Sequence, residues 1–177
     1  MADKIYSVRN KSEEKFLRQR AQEFDFGKHG KKEIADLVSR MKKAMREARG
    51  IGLSANQIGL SYKVFVAEVP DANGGLKFYS VFNPVIEKKS SETISFEEGC
   101  LSIPNLYGRV PRSERVVLEG SDKNGRPLKI KAWGLLARVF QHEIDHLEGK
   151  VFTDRTKEIY SSPSSERIKQ KTQNHSS

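Results

Sequence analysis

Two histidines and a glutamate within one helical turn are the strongest chemical signal in the sequence. His142 and His146 are four residues apart, so on a helix both imidazoles project from the same side and can bind one metal ion. Glu143, beside the first histidine, is placed to accept the proton of a water bound there. The alternative is two ordinary polar residues on a helix. Their position argues against it, because both continue the apolar stripe that contains Val139, where unpartnered imidazoles are costly to bury.

A third ligand must come from elsewhere, because a hydrolytic metal site uses three protein ligands and keeps one position open. Cys100 and several carboxylates are candidates. Cys100 follows a predicted strand, and Gly99 before it permits close approach of the backbone to a bound group. For a lone cysteine, a buried and inert side chain is the commoner alternative.

A glycine-rich segment, residues 50–59, contains three further glycines and small residues around Gln57, whose amide offers a hydrogen-bond donor in a crowded turn. The segment follows a predicted helix instead of a strand. It also lacks the Gly-Lys-Ser/Thr ending of a phosphate-binding loop, so it does not indicate a nucleotide site.

Taken together, the three segments resemble the peptide deformylase family. Its signatures are GxGLAAxQ, EGCLS and QHExDHLxG in that order, and here residues 50–57 read GIGLSANQ, 98–102 read EGCLS and 141–149 read QHEIDHLEG. The likeness extends over about residues 31–154. It implies removal of the formyl group from the N-terminal formylmethionine of newly made proteins, with release of formate, by an enzyme that uses a divalent metal.

The resemblance also implies roles for individual residues. Cys100, His142 and His146 would bind the metal, and Glu143 would take a proton from water and return it to the leaving amine. Gln57 and the backbone N–H of Leu101 would form an oxyanion hole.

One divalent metal ion per chain is expected, and the resemblance favours Fe(2+), with Zn(2+), Ni(2+) or Co(2+) as substitutes. A thiolate ligand donates more electron density than a carboxylate and suits an iron centre, although raw affinity favours zinc or nickel. An open iron–thiolate site is also expected to be sensitive to oxygen.

The family binds the methionine side chain in an apolar pocket and pairs the peptide backbone with an exposed strand edge. By resemblance, the pocket positions here are Ile51, Phe96, Leu135 and Val139, and the backbone partners are Ile51, Gly52 and Gly99. Plain core packing is the alternative for the apolar side chains.

Several positions depart from the family pattern. Ser54 replaces an alanine, and Trp133, a poor helix cap, precedes the active helix. Tyr107 follows the cysteine segment in a stretch where many bacterial members present an arginine to the substrate, a role for which Arg109 and Arg112 are the candidate replacements. None of these departures falls on the position of an expected ligand or of Glu143.

The elements that must position these residues follow from periodicity. Apolar residues at three- and four-residue steps predict helices over residues 31–49 and 135–147, and a polar helix is expected over 13–22. Runs rich in β-branched and aromatic residues predict strands at 64–67, 78–82 and 93–96, and two more flank the Asn124-Gly125 turn. The order helix, strands, helix predicts an α+β fold with a mostly antiparallel sheet, and the resemblance implies that this sheet packs around a central active-site helix.

Length and composition set further limits. The 177 residues suit a single catalytic domain, placed at 1–154, followed by a basic, serine-rich tail over 155–177 that is either a short helix or disordered. One cysteine excludes an intramolecular disulfide. No stretch is apolar enough to span a membrane and no leader is recognisable, so we expect a bacterial-type cytoplasmic protein, with an organelle as the weaker alternative.

The net charge of +9 predicts attraction to polyanions. The expected partners are N-formylmethionyl nascent peptides and, through the basic tail, the ribosome; a solvated tail is the alternative. No membrane partner is expected, and no sequence-specific nucleic acid binding. Two other functions compete: a metalloprotease that cuts internal peptide bonds, against which Cys100 and Gln57 argue, and a basic RNA-binding module, for which no recognised motif is present.

Overall fold

Three helices and eight strands make up the fold in a computed structural model that describes residues 3–161. The helices are α1 (Lys11–Leu17), α2 (Lys31–Glu47) and α3 (Gly134–Leu147). The strands are β1 (Gly52–Ser54), β2 (Val64–Pro70), β3 (Leu76–Lys89), β4 (Thr93–Cys100), β5 (Ile103–Ser113), β6 (Arg115–Ser121), β7 (Pro127–Trp133) and β8 (Ile159–Tyr160).

The strands form two antiparallel sheets. One has the order β1-β2-β3-β6-β7 and the other the order β4-β5-β8, so β1 and β4 are each an edge strand. Helix α3 contacts strands of both sheets, and its apolar side chains join those of β2, β6 and β7 in one buried cluster. A second cluster lies between α2 and the first sheet. The α+β prediction with a central active-site helix is confirmed.

The differences from the predicted elements arise where pairing with other parts of the chain overrides local preference. Helix α1 ends at Leu17 instead of residue 22, and the chain after it joins Tyr62 through a bridge at Gln22. Strand β5 was not predicted, because Pro104, Gly108 and Pro111 are unfavourable in strands. Its pairing with β4 and β8 overrides that local preference.

Helix α3 begins and ends at special backbone positions. Trp133 is its N-cap and makes no side-chain capping hydrogen bond, as its type predicts. Gly149 follows the helix with φ +73°, and its N–H donates to the carbonyl of His146 at 3.0 Å. Glycine at this position satisfies a terminal carbonyl without steric strain.

Gly149→Ala is expected to lower the free energy of unfolding by about 2–4 kcal/mol, because positive φ and a close contact act together. A Cβ at this position would lie 2.3 Å from the backbone oxygen of Arg18. Gly134 also has positive φ, but no atom lies within 4 Å of a Cβ there. Gly134→Ala is therefore the matched control and should cost about 1 kcal/mol. Urea denaturation measures both free energies of unfolding, and equal losses in the two variants would contradict the steric argument.

No helix within residues 3–161 is long and apolar enough to cross a membrane. Most of the predicted basic tail, residues 162–177, lies outside the described part of the chain.

Candidate active site

Three predicted ligand side chains converge where β4 ends against α3. The Sγ of Cys100 lies 3.1 Å from Nε2 of His146, and this nitrogen lies 3.2 Å from Nε2 of His142. All three atoms are within 4.8 Å of one another, and no other such group of donors occurs in residues 3–161. Spacing along α3 brings the two histidines together, whereas β4 supplies the cysteine.

The donor set fits a divalent transition metal. One thiolate and two imidazoles are the ligand types that zinc and iron(II) accept, and three protein ligands leave a coordination position open. The second ring nitrogen of His142 supports the same conclusion. Its Nδ1 lies 2.9 Å from Oε2 of Glu98, so Nε2 is the nitrogen that faces the other two donors.

The charge state of Cys100 suits metal binding. Burial disfavours a charged sulfur, but attraction to the imidazoles of His146 and His142 outweighs it and holds the pKa of the thiol well below its ordinary value. Because the thiolate is the form that binds metals, Cys100 is prepared for that role by its surroundings.

A buried charge network supports the histidines from behind. Arg112 donates two hydrogen bonds of 2.9 Å to Glu98, and Arg138 adds one of 2.8 Å. Arg112 also donates to Asp145 at 2.5 Å, and Arg155 binds the same carboxylate. Burial alone would raise the pKa of Glu98, yet the hydrogen bonds from Arg112 and His142 bring it far below the ordinary value.

This network of buried ion pairs was not predicted from the sequence. Glu98 and Asp145 lie inside two of the quoted motifs, but nothing in the sequence pairs them with arginines. The expectation that Arg112 replaces a substrate-binding arginine is wrong. Its side chain is buried and committed to Glu98 and Asp145, whereas Tyr107 lines the main cleft.

Glu143 lies next to the ligands, with 3% of its surface exposed. The hydroxyl of Ser54 lies 2.7 Å from its Oε2. A Cβ on Gly52 would lie 2.3 Å from its Oε1, so only glycine leaves room for the carboxyl group there. Burial raises the pKa of Glu143 above its ordinary value, against the attraction of the two imidazoles.

Gln57 is held beside the cysteine by both ends of its amide. Its Oε1 accepts from the backbone N–H of Ser54 at 2.9 Å, and its Nε2 donates to Oγ of Ser102 at 3.0 Å. The same nitrogen lies 3.7 Å from Sγ of Cys100. Gln57 and Leu101 both line the cleft beside the three donor atoms.

A cleft of about 560 Å³ opens beside the three donors. All six residues predicted for substrate binding line it, namely Ile51, Gly52, Phe96, Gly99, Leu135 and Val139. Val139 is buried, but Phe96 is 62% exposed and Ile51 and Leu135 are nearly half exposed. Core packing therefore does not account for the side chains of Ile51, Phe96 and Leu135.

These features define a class of protein: a hydrolase with a Cys–His–His cluster that could hold one metal ion, a carboxylate beside it and an open, partly apolar cleft. The family model of polypeptide deformylase matches residues 4–162. The chain belongs to the peptide deformylase family.

Relatives and solved structures agree with this assignment. Peptide deformylase 2 of Gloeobacter violaceus is 44% identical over 123 residues, which are 70% of this chain and 66% of that protein. The peptide deformylase of Treponema pallidum (strain Nichols) is 44% identical over 126 residues, 71% of this chain and 75% of that one. A probable peptide deformylase from Synechococcus phage S-SSM7 is similar in structure, with a TM-score of 0.79, 39% identity, and coverage of 88% of this chain and 100% of that one.

A further solved structure is that of a peptide deformylase from Synechococcus elongatus in complex with actinonin. It has a TM-score of 0.77 and 35% identity, and the match covers 86% of this chain and 79% of that one. The family is metal-dependent and removes the N-formyl group from nascent peptides, and this chain is an enzyme of that type. The predicted family and activity are confirmed.

Proposed function

We propose that this enzyme deformylates N-formylmethionyl peptides in the cleft between β1 and β4, with Cys100, His142 and His146 holding one Fe(2+) and Glu143 acting as general base and acid. The convergence of three ligand atoms within 4.8 Å carries the proposal. Bound there, a divalent metal polarises the formyl carbonyl and lowers the pKa of water.

Glu143 supplies the proton transfers. Its carboxylate takes one proton from the attacking water and returns it to the amine nitrogen as the C–N bond breaks, so formate and a free N-terminus leave. Its raised pKa makes it a stronger base than an exposed glutamate and a competent acid in the second step.

Gln57 and the Leu101 N–H are proposed as the oxyanion hole. An amide nitrogen carries two hydrogens, and Gln57 Nε2 donates at 3.0 Å to Oγ of Ser102 and at 3.7 Å to Sγ of Cys100. Sulfur is the weaker acceptor of the two, so the N–H that contacts Cys100 is the one proposed to donate instead to the oxygen on which negative charge develops.

The substrate is proposed to lie between two open strand edges. Gly52 on β1 and Gly99 on β4 belong to edge strands, which leaves peptide groups able to pair with an extended chain. Ile51, Phe96, Leu135 and Val139 supply apolar contacts for a methionine side chain.

The test of the function is formate release from a formyl-methionyl tripeptide by protein purified without oxygen and supplied with Fe(2+). The matched acetyl-methionyl tripeptide, whose extra methyl group crowds the reacting carbon, should turn over at least about 100-fold more slowly, a difference of about 2.7 kcal/mol in the barrier. Cleavage of internal bonds in an unblocked peptide, without formate release, would favour the metalloprotease alternative.

Cys100→Ala is expected to remove most of the bound metal, because two imidazoles alone form an incomplete site. Metal content by elemental analysis should fall from about one equivalent per chain to below about 0.2, since loss of one of three ligands weakens binding far more than the 10–100-fold loss typical of a supporting residue. His29, which stacks on Phe24 outside the site, provides the control, and His29→Ala should keep its metal. A fully loaded Cys100→Ala protein would exclude the cysteine as a ligand.

The proposal for the natural setting is a bacterial-type cytoplasmic enzyme that acts on nascent chains and contacts the ribosome through residues 155–177. The charge of +9 and the basic residues of this segment support it. Removing the residues after Ser161 should weaken ribosome co-sedimentation at low salt and leave turnover of the tripeptide unchanged. Unaltered co-sedimentation across a salt series would exclude the tail as the contact.

A further inference from the structure

Ser54 makes a hydrogen bond to the carboxyl group of Glu143. Its side chain is fully buried, and its Oγ lies 2.7 Å from Oε2 and 2.9 Å from the backbone oxygen of the same glutamate. Ser54 ends strand β1, whereas Glu143 lies in the middle of α3, so this contact joins the edge of the first sheet to the active helix.

The two carboxyl oxygens of Glu143 have different surroundings. Oε2 faces the Ser54 hydroxyl, which does not line the cleft. Oε1 lies against the backbone of Gly52, which has no side chain and lines the cleft. One oxygen is therefore anchored, and the other is left at the wall of the cleft.

A serine hydroxyl can keep this contact in both protonation states of the glutamate. When Glu143 is ionised, the single hydrogen of Ser54 is donated to Oε2. When the carboxyl group carries a proton on Oε1, Oε2 is its carbonyl oxygen and still accepts that hydrogen, and the Ser54 Oγ remains 2.9 Å from the backbone oxygen of Glu143. An alanine at this position offers neither contact.

We propose that Ser54 is a positioning residue that anchors Oε2 of Glu143 and thereby makes Oε1 the oxygen that exchanges protons during deformylation. The proton of the attacking water is bound at Oε1 and passes to the amine nitrogen as the C–N bond breaks. This proposal rests on the proposed role of Glu143 as base and acid.

Ser54→Ala is expected to lower kcat about tenfold, the effect of one hydrogen bond to a charged group, because the carboxyl group loses its fixed orientation. KM for the formyl-methionyl tripeptide should stay within about twofold, and metal content at about one equivalent, because Ser54 contacts neither substrate nor ligand atoms. Ser80→Ala, at a partly buried serine in β3, is the matched control and should leave kcat and KM unchanged.

A double-mutant cycle separates positioning from a structural role. In a Glu143→Ala background, Ser54→Ala should change the residual rate less than about twofold, because the group it orients is gone. A tenfold loss in both backgrounds, a rise in KM without a fall in kcat, or loss of metal would overturn the proposal. Wild-type protein that releases no formate, or Glu143→Ala protein with normal turnover, would instead overturn the proposed function itself.

Discussion

Glu143→Ala is expected to reduce kcat for formate release by about a thousandfold, the middle of the range for loss of a general acid–base group. The carboxylate lies beside the three ligand atoms, and no other acidic side chain within residues 3–161 lines the cleft except Glu97 and Glu98. Glu98 is committed to Arg112, Arg138 and His142, and Glu97 contacts Tyr160. Neither is available to replace the base.

Metal content separates this effect from damage to the site. Glu143 is not one of the three converging donors, so the variant should still bind about one metal per chain. Glu148→Ala is a useful control, because this glutamate follows the same helix and pairs with Arg20 outside the cleft. Its turnover should be normal. A Glu143→Ala protein that holds metal and keeps more than about a tenth of the wild-type kcat would exclude Glu143 as the base, because even a weak general base contributes about 100-fold.

Glu98→Ala is expected to have the largest effect on stability. It leaves the guanidinium groups of Arg112 and Arg138 buried with one carboxylate fewer, and a broken buried ion pair costs about 3–5 kcal/mol. It also removes the partner of His142 Nδ1, and loss of such a supporting contact typically weakens metal binding about 10–100-fold.

Urea denaturation of the metal-free proteins measures the first effect, and competition with a chelator measures the second. The control is Glu92→Ala, which breaks an exposed pair with Arg115 at 3.7 Å and should change stability by less than about 0.5 kcal/mol. Equal losses of unfolding free energy in Glu98→Ala and Glu92→Ala would contradict the argument that burial strengthens the Glu98 ion pairs.

The pH dependence of the Glu98 contribution has a definite sign. Its pKa is lowered in the folded protein, so folding favours the ionised form. The stabilisation is therefore fully present above the unfolded pKa of about 4.3 and is lost as the pH falls below it toward the folded value. The stability difference between metal-free wild type and Glu98→Ala should therefore narrow as the pH falls below about 4.3.

The local features of the site were predictable from the sequence. Residues four apart on a helix share a side whatever the fold, so the cooperation of His142 and His146 required only the periodicity of α3. The helices α2 and α3 and the strands rich in β-branched residues were likewise predicted, because their residue patterns are local too. Strand β5 was not, because its prolines and glycine are compatible with a strand only where pairing partners on both sides compensate for them.

Contacts between distant segments were decided by the tertiary structure alone. The sequence by itself determined the family and the residue types in the Cys–His–His cluster and at the cleft, because these depend on chemistry and short spacing. Only the fold brought Arg112 and Arg138 onto Glu98, kept Arg112 out of the cleft lining and placed the Ser54 hydroxyl on Glu143. Each of these contacts joins residues from 14 to 89 positions apart, and their energies depend on burial and orientation, which no local pattern encodes.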